Sequence, residues 1–277
     1  MSALNLWRKC HFNCFLLNPW YGPLVRFCYL CGMAIFKKKA EVLADFTAIG
    51  VDFHNHVIPG IDDGSSTLEE SVRMLELFAD LGYRKIIATP HVITDLYPNT
   101  KDIILGQMYH LRDVIAEQKI PLELEASAEY RLDFEFLQKM EEGELLTLGK
   151  TNYILIELPF QKPAFSLEEI IFELRTAGFE PILAHPERYL FLYTNIKNYY
   201  PLKDMGLSFQ LNLNSLSGMY NGLVRRTSEK LIKNKMIEFV SSDAHHANHL
   251  IDMKKVLKNR FLFDLIESGT LRNKELF

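Results

Sequence analysis

Cysteine is missing from everything after residue 31. The chain's four cysteines (Cys10, Cys14, Cys28, Cys31) and both tryptophans (Trp7, Trp20) sit in that first stretch. A thiolate nucleophile or thiolate-bound metal is thereby excluded from the rest of the chain. Gly-x-Gly-x-x-Gly and P-loop signatures are absent too, so no nucleotide cofactor is implied. Basic runs are absent beyond Lys37 to Lys39, and a net charge of -4 argues against nucleic acid as a partner. No apolar stretch runs unbroken for the roughly 20 residues that a membrane-crossing helix needs. Asn18, Pro19, Pro23 and Arg26 interrupt the best candidate. Internal repeats and low-complexity tracts are also lacking.

What the chain has is a recurring pattern of short apolar runs that end in potential metal ligands. These run from Gly50 to His54, Arg84 to His91, Leu122 to Glu129, Tyr153 to Glu157, Glu180 to His185, Ser208 to Asn214 and Ile237 to Asp243. Their coarse periodicity, with a helical stretch after each, predicts seven strands. Between them the 3.6-residue period predicts helices over Thr67 to Leu81, Ile103 to Gln118, Leu167 to Ala177 and Leu223 to Asn234. Ser66 or Thr67 ahead of Glu69 and Glu70, and Ser166 ahead of Glu168 and Glu169, supply helix-start signals. Alternating strand and helix implies an α/β fold with a parallel sheet. If the sheet closes into a barrel, all strand ends face one mouth.

The strand ends carry His54, His56, Asp62 or Asp63, His91, Glu129, Glu157, His185, Asp243 and His245. Alternate residues of a strand share a face, so His54 and His56 point the same way. Imidazole with carboxylate suits borderline divalent metals such as Mn, Fe and Zn. The set is too large for one ion, since a zinc takes about four ligands. It suits two or three ions bridged by carboxylates, an arrangement that activates water and clamps a phosphoryl group. Taken singly, each residue has a plainer role open to it: Glu157 paired with an arginine, Asp243 as a helix N-cap.

The motifs His54-x-His56, Thr89-Pro90-His91, Glu129, Ile156-Glu157-Leu158-Pro159, Ala184-His185-Pro186-Glu187-Arg188 and Ser242-Asp243-Ala244-His245 resemble the polymerase and histidinol phosphatase (PHP) superfamily. Within it the chain is most similar to the manganese-dependent bacterial protein tyrosine phosphatases of capsule and exopolysaccharide synthesis. The resemblance spans roughly residues 50 to 265. It implies a distorted seven-stranded (β/α) TIM-like barrel, two or three Mn2+ ions with Fe or Zn as alternatives, and hydrolysis of phosphotyrosine on a cognate tyrosine kinase. By position it implies one ion at His54, His56, Glu129 and Asp243, and a second at Glu129, Glu157 and His185. The third takes His91, His245 and one of Asp62 and Asp63, with Asp63 favoured. Arg188 matches the phosphate-binding arginine, and with Asp243 it is the expected catalytic residue. A second family arginine, expected a few residues after the last Asp-x-His, is missing from His246-Ala247-Asn248-His249-Leu250. His249, Arg225 or Arg226 are the candidates to replace it, with His249 assigned to substrate binding. Tyr97, Tyr189, Tyr193 and Tyr220 are candidates for the mouth, where rim packing competes with stacking on an aryl group. A small-molecule phosphoesterase of the histidinol phosphate type and a non-catalytic metal-stabilised scaffold are the alternative functions.

The composition break divides the chain into an extension (1–32), a lead-in (33–49) and a catalytic barrel (50–277). Met33 opens Met-Ala-Ile-Phe-Lys-Lys-Lys, so the favoured reading of residues 1–32 is an upstream start site. Membrane-surface contact through residues 1–39 and a tetrathiolate zinc site are the other readings. The protein is otherwise expected in the cytoplasm or at the inner face of the membrane, with self-association left open.

Overall fold

Apolar runs rich in Ile, Leu and Val become parallel strands because both faces of such a sheet are covered. The computed structural model describes residues 42–160 and 167–277; the extension at 1–32, its cysteines, Lys37 to Lys39 and Ser166 lie outside them. The first strands are β1 (Val51–Asp52), β2 (Lys85–Ala88), β3 (His91–Val92), β4 (Glu123–Ala126) and β5 (Glu129–Arg131). They are followed by β6 (Tyr153–Glu157), β7 (Glu180–Ala184), β8 (Ser208–Asn212) and β9 (Phe239–Ser241). Every ladder between them is parallel, in the orders β1-β2-β4 and β3-β5-β6-β7-β8-β9.

Two of the expected strands are each split in two. Pro90, which has no N–H to give a ladder, separates β2 from β3. The break between β4 and β5 lies beside it, and the two paths stay together: Ser127 N–H donates to the Ala88 carbonyl (2.8 Å) and Glu129 N–H to the Pro90 carbonyl (3.1 Å). At the other side Asn55 forms a parallel bridge with Ala244. There His56 N–H donates to the Ala244 carbonyl (2.9 Å) and Asp243 N–H to the His54 carbonyl (2.7 Å).

The four expected helices are α1 (Leu68–Asp80), α2 (Lys101–Glu117), α4 (Leu167–Thr176) and α7 (Gly222–Lys233), with α3 (Phe136–Glu141) short and intervening. Thr67, rather than Ser66, caps α1 by accepting from Glu70 N–H, and Thr100 and Asn221 cap α2 and α7 in the same manner. Short helices α5 (Tyr200–Asp204), α6 (Leu213–Ser217), α8 (Ala247–Met253) and α9 (Arg260–Glu267) complete the set. Among the described residues no helix is long and apolar enough to cross a membrane.

Strand alternation sorts the apolar side chains into two cores. Ile86, Ile154, Ile156, Leu183, Phe209, Leu211 and Val240 pack in a large cluster with the helices. Val51, Phe53, Ile87, Leu155, Ile182, Ala184 and Phe239 form a second, separate cluster. Leu155 and Glu157 lie two apart on β6, so the second cluster leads up to the polar strand ends.

Candidate metal centre

Six strand ends deliver the polar residues to one place. The segment after β1 carries His54 and His56, β3 begins at His91, β5 begins at Glu129 and β6 ends at Glu157. His185 follows β7, and Asp243 and His245 follow β9. Two of these sit in left-handed backbone, His185 at φ 34° and Asp243 at φ 49°, a conformation that costs a non-glycine residue and clusters at functional sites.

Glu129 is the hub. Its Oε2 lies 3.2 Å from His54 Nε2, 3.7 Å from His56 Nε2 and 3.1 Å from His91 Nδ1, and its Oε1 lies 3.0 Å from His185 Nε2. Asp243 Oδ1 is 3.3 Å from His54 Nε2 and 3.5 Å from His56 Nε2. Glu157 Oε1 is 3.5 Å from His91 Nδ1. On the outer side Asp63 Oδ1 is 3.5 Å from His91 Nε2 and 3.6 Å from His245 Nε2. Four groups of atoms converge closely enough to hold an ion: His56, Asp63, His91, His245; His54, His56, Glu129; His54, His185, Asp243; and His91, Glu129, Glu157.

The donor set fits a metal. His54 Nε2, His56 Nε2, His91 Nδ1 and Glu129 Oε2 are all buried, and none has a hydrogen-bond partner of acceptable geometry. Four orphaned atoms in one spot are costly unless something cationic joins them. The separations of His54 Nε2 (3.2 Å) and His91 Nδ1 (3.1 Å) from Glu129 Oε2 match the edges of a polyhedron about an ion with bonds of roughly 2.1 Å, which are about 3.0 to 3.4 Å, and His56 Nε2 at 3.7 Å lies just outside that range.

The surroundings hold two of the imidazoles, His54 and His56, in one tautomer. Asp62 Oδ2 sits 2.7 Å from His56 Nδ1, accepts from His91 N–H (3.0 Å) and through Oδ1 from Gly64 N–H (2.9 Å). Asp62 is therefore an outer partner of His56, and of the adjacent carboxylates only Asp63 enters a converging group. Gln210 Oε1 sits 2.9 Å from His54 Nδ1 and accepts from His185 N–H. Such partners leave the opposite nitrogen free as a ligand. A Cβ at Gly64 would lie 2.3 Å from His56 Cβ and from the His56 carbonyl oxygen, so the loop closes on His56 only with glycine.

The electrostatics of the pocket call for positive charge. Burial opposes protonation of His54, yet Glu129 and Asp243 outweigh it and push the imidazole to about 9. Burial lowers His91 to about 4, and burial with the Arg188 charge lowers His185 to about 4. Glu157 is raised to about 8 by burial and by the neighbouring Glu129, against the pull of Arg131.

Arg188 follows His185 by one tight turn. Its Nη1 donates to Asp243 Oδ2 (2.5 Å), and its guanidinium is held between Phe160 and Tyr220, 4.9 and 4.5 Å from the ring centroids. Tyr220 thus cradles the arginine. Tyr97 stacks on His91 with ring centroids 5.7 Å apart and planes at 11°. Tyr189 is no mouth residue: it is fully buried, its hydroxyl accepting from Leu158 N–H and donating to the Ala184 carbonyl. His249 packs beside the site, its Nδ1 accepting from His245 N–H (3.3 Å). Arg225 pairs with Glu229 along α7 instead.

Several participants escaped the sequence reading. Arg131 donates to Glu157 Oε1 through Nε (3.0 Å) and Nη2 (2.8 Å). Asn212 donates to Asp243 Oδ2 (2.9 Å), and buried Asp52 accepts from Asn55 Nδ2, Ser242 N–H and Ser242 Oγ, fastening the Asp243 loop to β1. The detectable signal was Gln210 and Asn212 two apart in a strand, alternating with the apolar Phe209 and Leu211.

The family described as capsular polysaccharide synthesis, CpsB/CapC, matches residues 50–259. Tyrosine-protein phosphatase YwqE of Bacillus subtilis is 31% identical over 237 residues, covering 82% of this chain and 93% of the relative. The putative tyrosine-protein phosphatase CapC of Staphylococcus aureus is 29% identical over 209 residues, covering 76% and 82%. A crystal structure from work on YwqE and on CpsB of Streptococcus pneumoniae, described as unique metal-dependent tyrosine phosphatases, superposes with a TM-score of 0.74 at 31% identity. It covers 82% of this chain and 93% of the other.

Proposed function

The chain belongs to the CpsB/CapC family of capsular polysaccharide synthesis proteins, and on that premise we propose that it is a metal-dependent protein tyrosine phosphatase. The observation that carries the reading is the convergence of buried, unpartnered nitrogen and oxygen atoms on Glu129. His54, His56, Glu129 and Asp243 would hold one ion, Glu129, Glu157 and His185 a second, and Asp63, His91 and His245 a third. Mn2+ is the ion we assign, since an all-nitrogen-and-oxygen set suits it as well as iron or zinc. The fold we assign is a distorted seven-stranded (β/α) barrel over residues 50–277, which the Asn55–Ala244 bridge between first and last strand paths supports.

Bound divalent ions of this kind bring a coordinated water toward ionisation near neutral pH and neutralise phosphoryl oxygens. The chain's own part is to place and hold. Asp62 and Gln210 keep His56 and His54 in the ligating tautomer. Arg188 offers a planar fork of donors to the phosphoryl group and to charge developing on it. His249, with Nδ1 already engaged, has Nε2 left for the substrate. Among the described residues there is no cysteine to serve as a thiol nucleophile. The substrate we assign is phosphotyrosine on a cognate tyrosine kinase of polysaccharide export.

The test compares turnover of a phosphotyrosine peptide with that of histidinol phosphate, after chelation and after Mn2+ is returned, with metal content measured in parallel. Loss on chelation, recovery with Mn2+ and preference for the peptide are expected. Full activity in verified metal-free protein overturns the metal reading; preference for histidinol phosphate overturns the protein-phosphatase reading.

A further inference from the structure

Two of the most exposed large apolar side chains lie on hydrogen-bonded neighbouring loops beside the candidate metal centre. Leu96 is 63% exposed and Phe134 77% exposed, on the loops that follow β3 and β5. The loops are tied to each other: Thr94 N–H donates to Asp133 Oδ2 (2.9 Å), two residues before Leu96 and one before Phe134. Both are also anchored to the site. Tyr97 stacks on His91, Asn99 Nδ2 donates to the His91 carbonyl (2.8 Å), and Leu132 N–H donates to the Glu157 carbonyl (3.1 Å). The turn carrying Leu96 is closed by paired Ile93 and Tyr97 backbone bonds of 3.0 and 2.8 Å.

A single exposed leucine needs no explanation, but two large apolar groups presented on fixed, joined loops at the edge of a reaction centre mark a contact surface. We propose that Leu96 and Phe134 form an apolar docking pad for the polypeptide that carries the phosphotyrosine, gripping apolar side chains within a few residues of it. The inference rests on the phosphatase reading and adds a substrate preference to it. Leu96 adjoins Tyr97, whose ring stacks on His91, so the pad lies on the loops next to the candidate ligands rather than among them and would serve a substrate longer than a single amino acid. Continuity with the centre favours the substrate chain over any other occupant.

The experiment uses the full chain loaded with Mn2+ and the variants Leu96→Ser, Phe134→Ser and their double, with Phe172→Ser on α4 as a control at 66% exposure. Three substrates are compared: a phosphotyrosine peptide flanked by leucine and valine, one flanked by glycine and serine, and p-nitrophenyl phosphate. The double variant is expected to raise KM for the apolar-flanked peptide about tenfold, a change of ~1.4 kcal/mol, at constant kcat. Turnover of p-nitrophenyl phosphate and of the glycine-flanked peptide should stay as in the parent. Unchanged KM for the apolar peptide, an equal change with p-nitrophenyl phosphate, or the same effect from Phe172→Ser overturns the pad. So does light scattering that shows the variants altering only self-association. If the parent protein cleaves p-nitrophenyl phosphate but neither peptide, the protein-phosphatase premise itself falls, and the pad with it.

Discussion

Replacing Arg188 by alanine separates catalysis from metal binding. The guanidinium touches one candidate ligand, donating to Asp243 Oδ2 at 2.5 Å, and is otherwise held by the faces of Phe160 and Tyr220. Asp243 keeps Asn212 as a donor at 2.9 Å and keeps its other oxygen toward His54 and His56. The alanine variant is therefore expected to retain its ions. What it loses is a preorganised donor in a half-buried setting, and removal of one such donor costs on the order of 100- to 1,000-fold in kcat, or about 3 to 4 kcal/mol. Arg188→Lys should recover only part, because an ammonium places one point charge where the guanidinium offers a planar fork. The assay is kcat at saturating phosphotyrosine peptide, alongside metal content by elemental analysis. Parent-like turnover in Arg188→Ala would refute the clamp. Loss of metal in step with activity would show that the arginine serves Asp243 instead.

Other outcomes follow from the same geometry. Glu129→Ala removes the oxygen atoms shared by four imidazoles and should abolish metal retention through dialysis, whereas Asp62→Ala, which frees His56 Nδ1 and the His91 and Gly64 N–H groups but takes no oxygen from the converging groups, should weaken metal affinity by roughly 10- to 100-fold; equal losses would contradict the division. Glu187 is fully buried, with Oε2 unpartnered, and burial raises its carboxyl to about 7. Because that lies above the unfolded value, its contribution to stability is present at low pH and lost as pH rises through about 7. The melting temperature of Glu187→Gln relative to the parent should therefore climb between pH 5 and 8, by the equivalent of at most ~3 kcal/mol; a flat difference would show that the carboxyl is not protonated in the native state. Gly64→Ala should displace His56 and lower metal occupancy, measurable by elemental analysis, since its Cβ would sit 2.3 Å from His56.

Most of the candidate ligands stood out in the sequence because they close an apolar run or follow its end by two residues, so that hydrophobic period and ligand chemistry mark neighbouring positions. The choice between Asp62 and Asp63 was not legible, since adjacent residues in a loop have no periodicity to orient them. Only the fold shows Asp62 turned back on His56. Gln210, Asn212 and Arg131 were missed because an isolated polar residue in a strand looks like ordinary alternation until its partner from a distant segment is known. Strand interruptions at Pro90 and near Ser127 fall inside short runs that each end in a candidate ligand, so each run reads as a single strand. Helices α5, α6 and α8 are too short to display a 3.6-residue period.

The fastening of Asp52 to Ser242, 190 residues apart, and of His54 to Asp243 bears on how the protein comes into being. These contacts join the first strand path to the last, so a chain emerging from the ribosome cannot complete the cluster until nearly all of it has been made. Glu129 and the early histidines are left as an open, partial chelator throughout synthesis. Closing so long a loop is slow relative to local helix formation. In the proposed metal centre, ion capture would then follow the closing contacts as a late event in maturation.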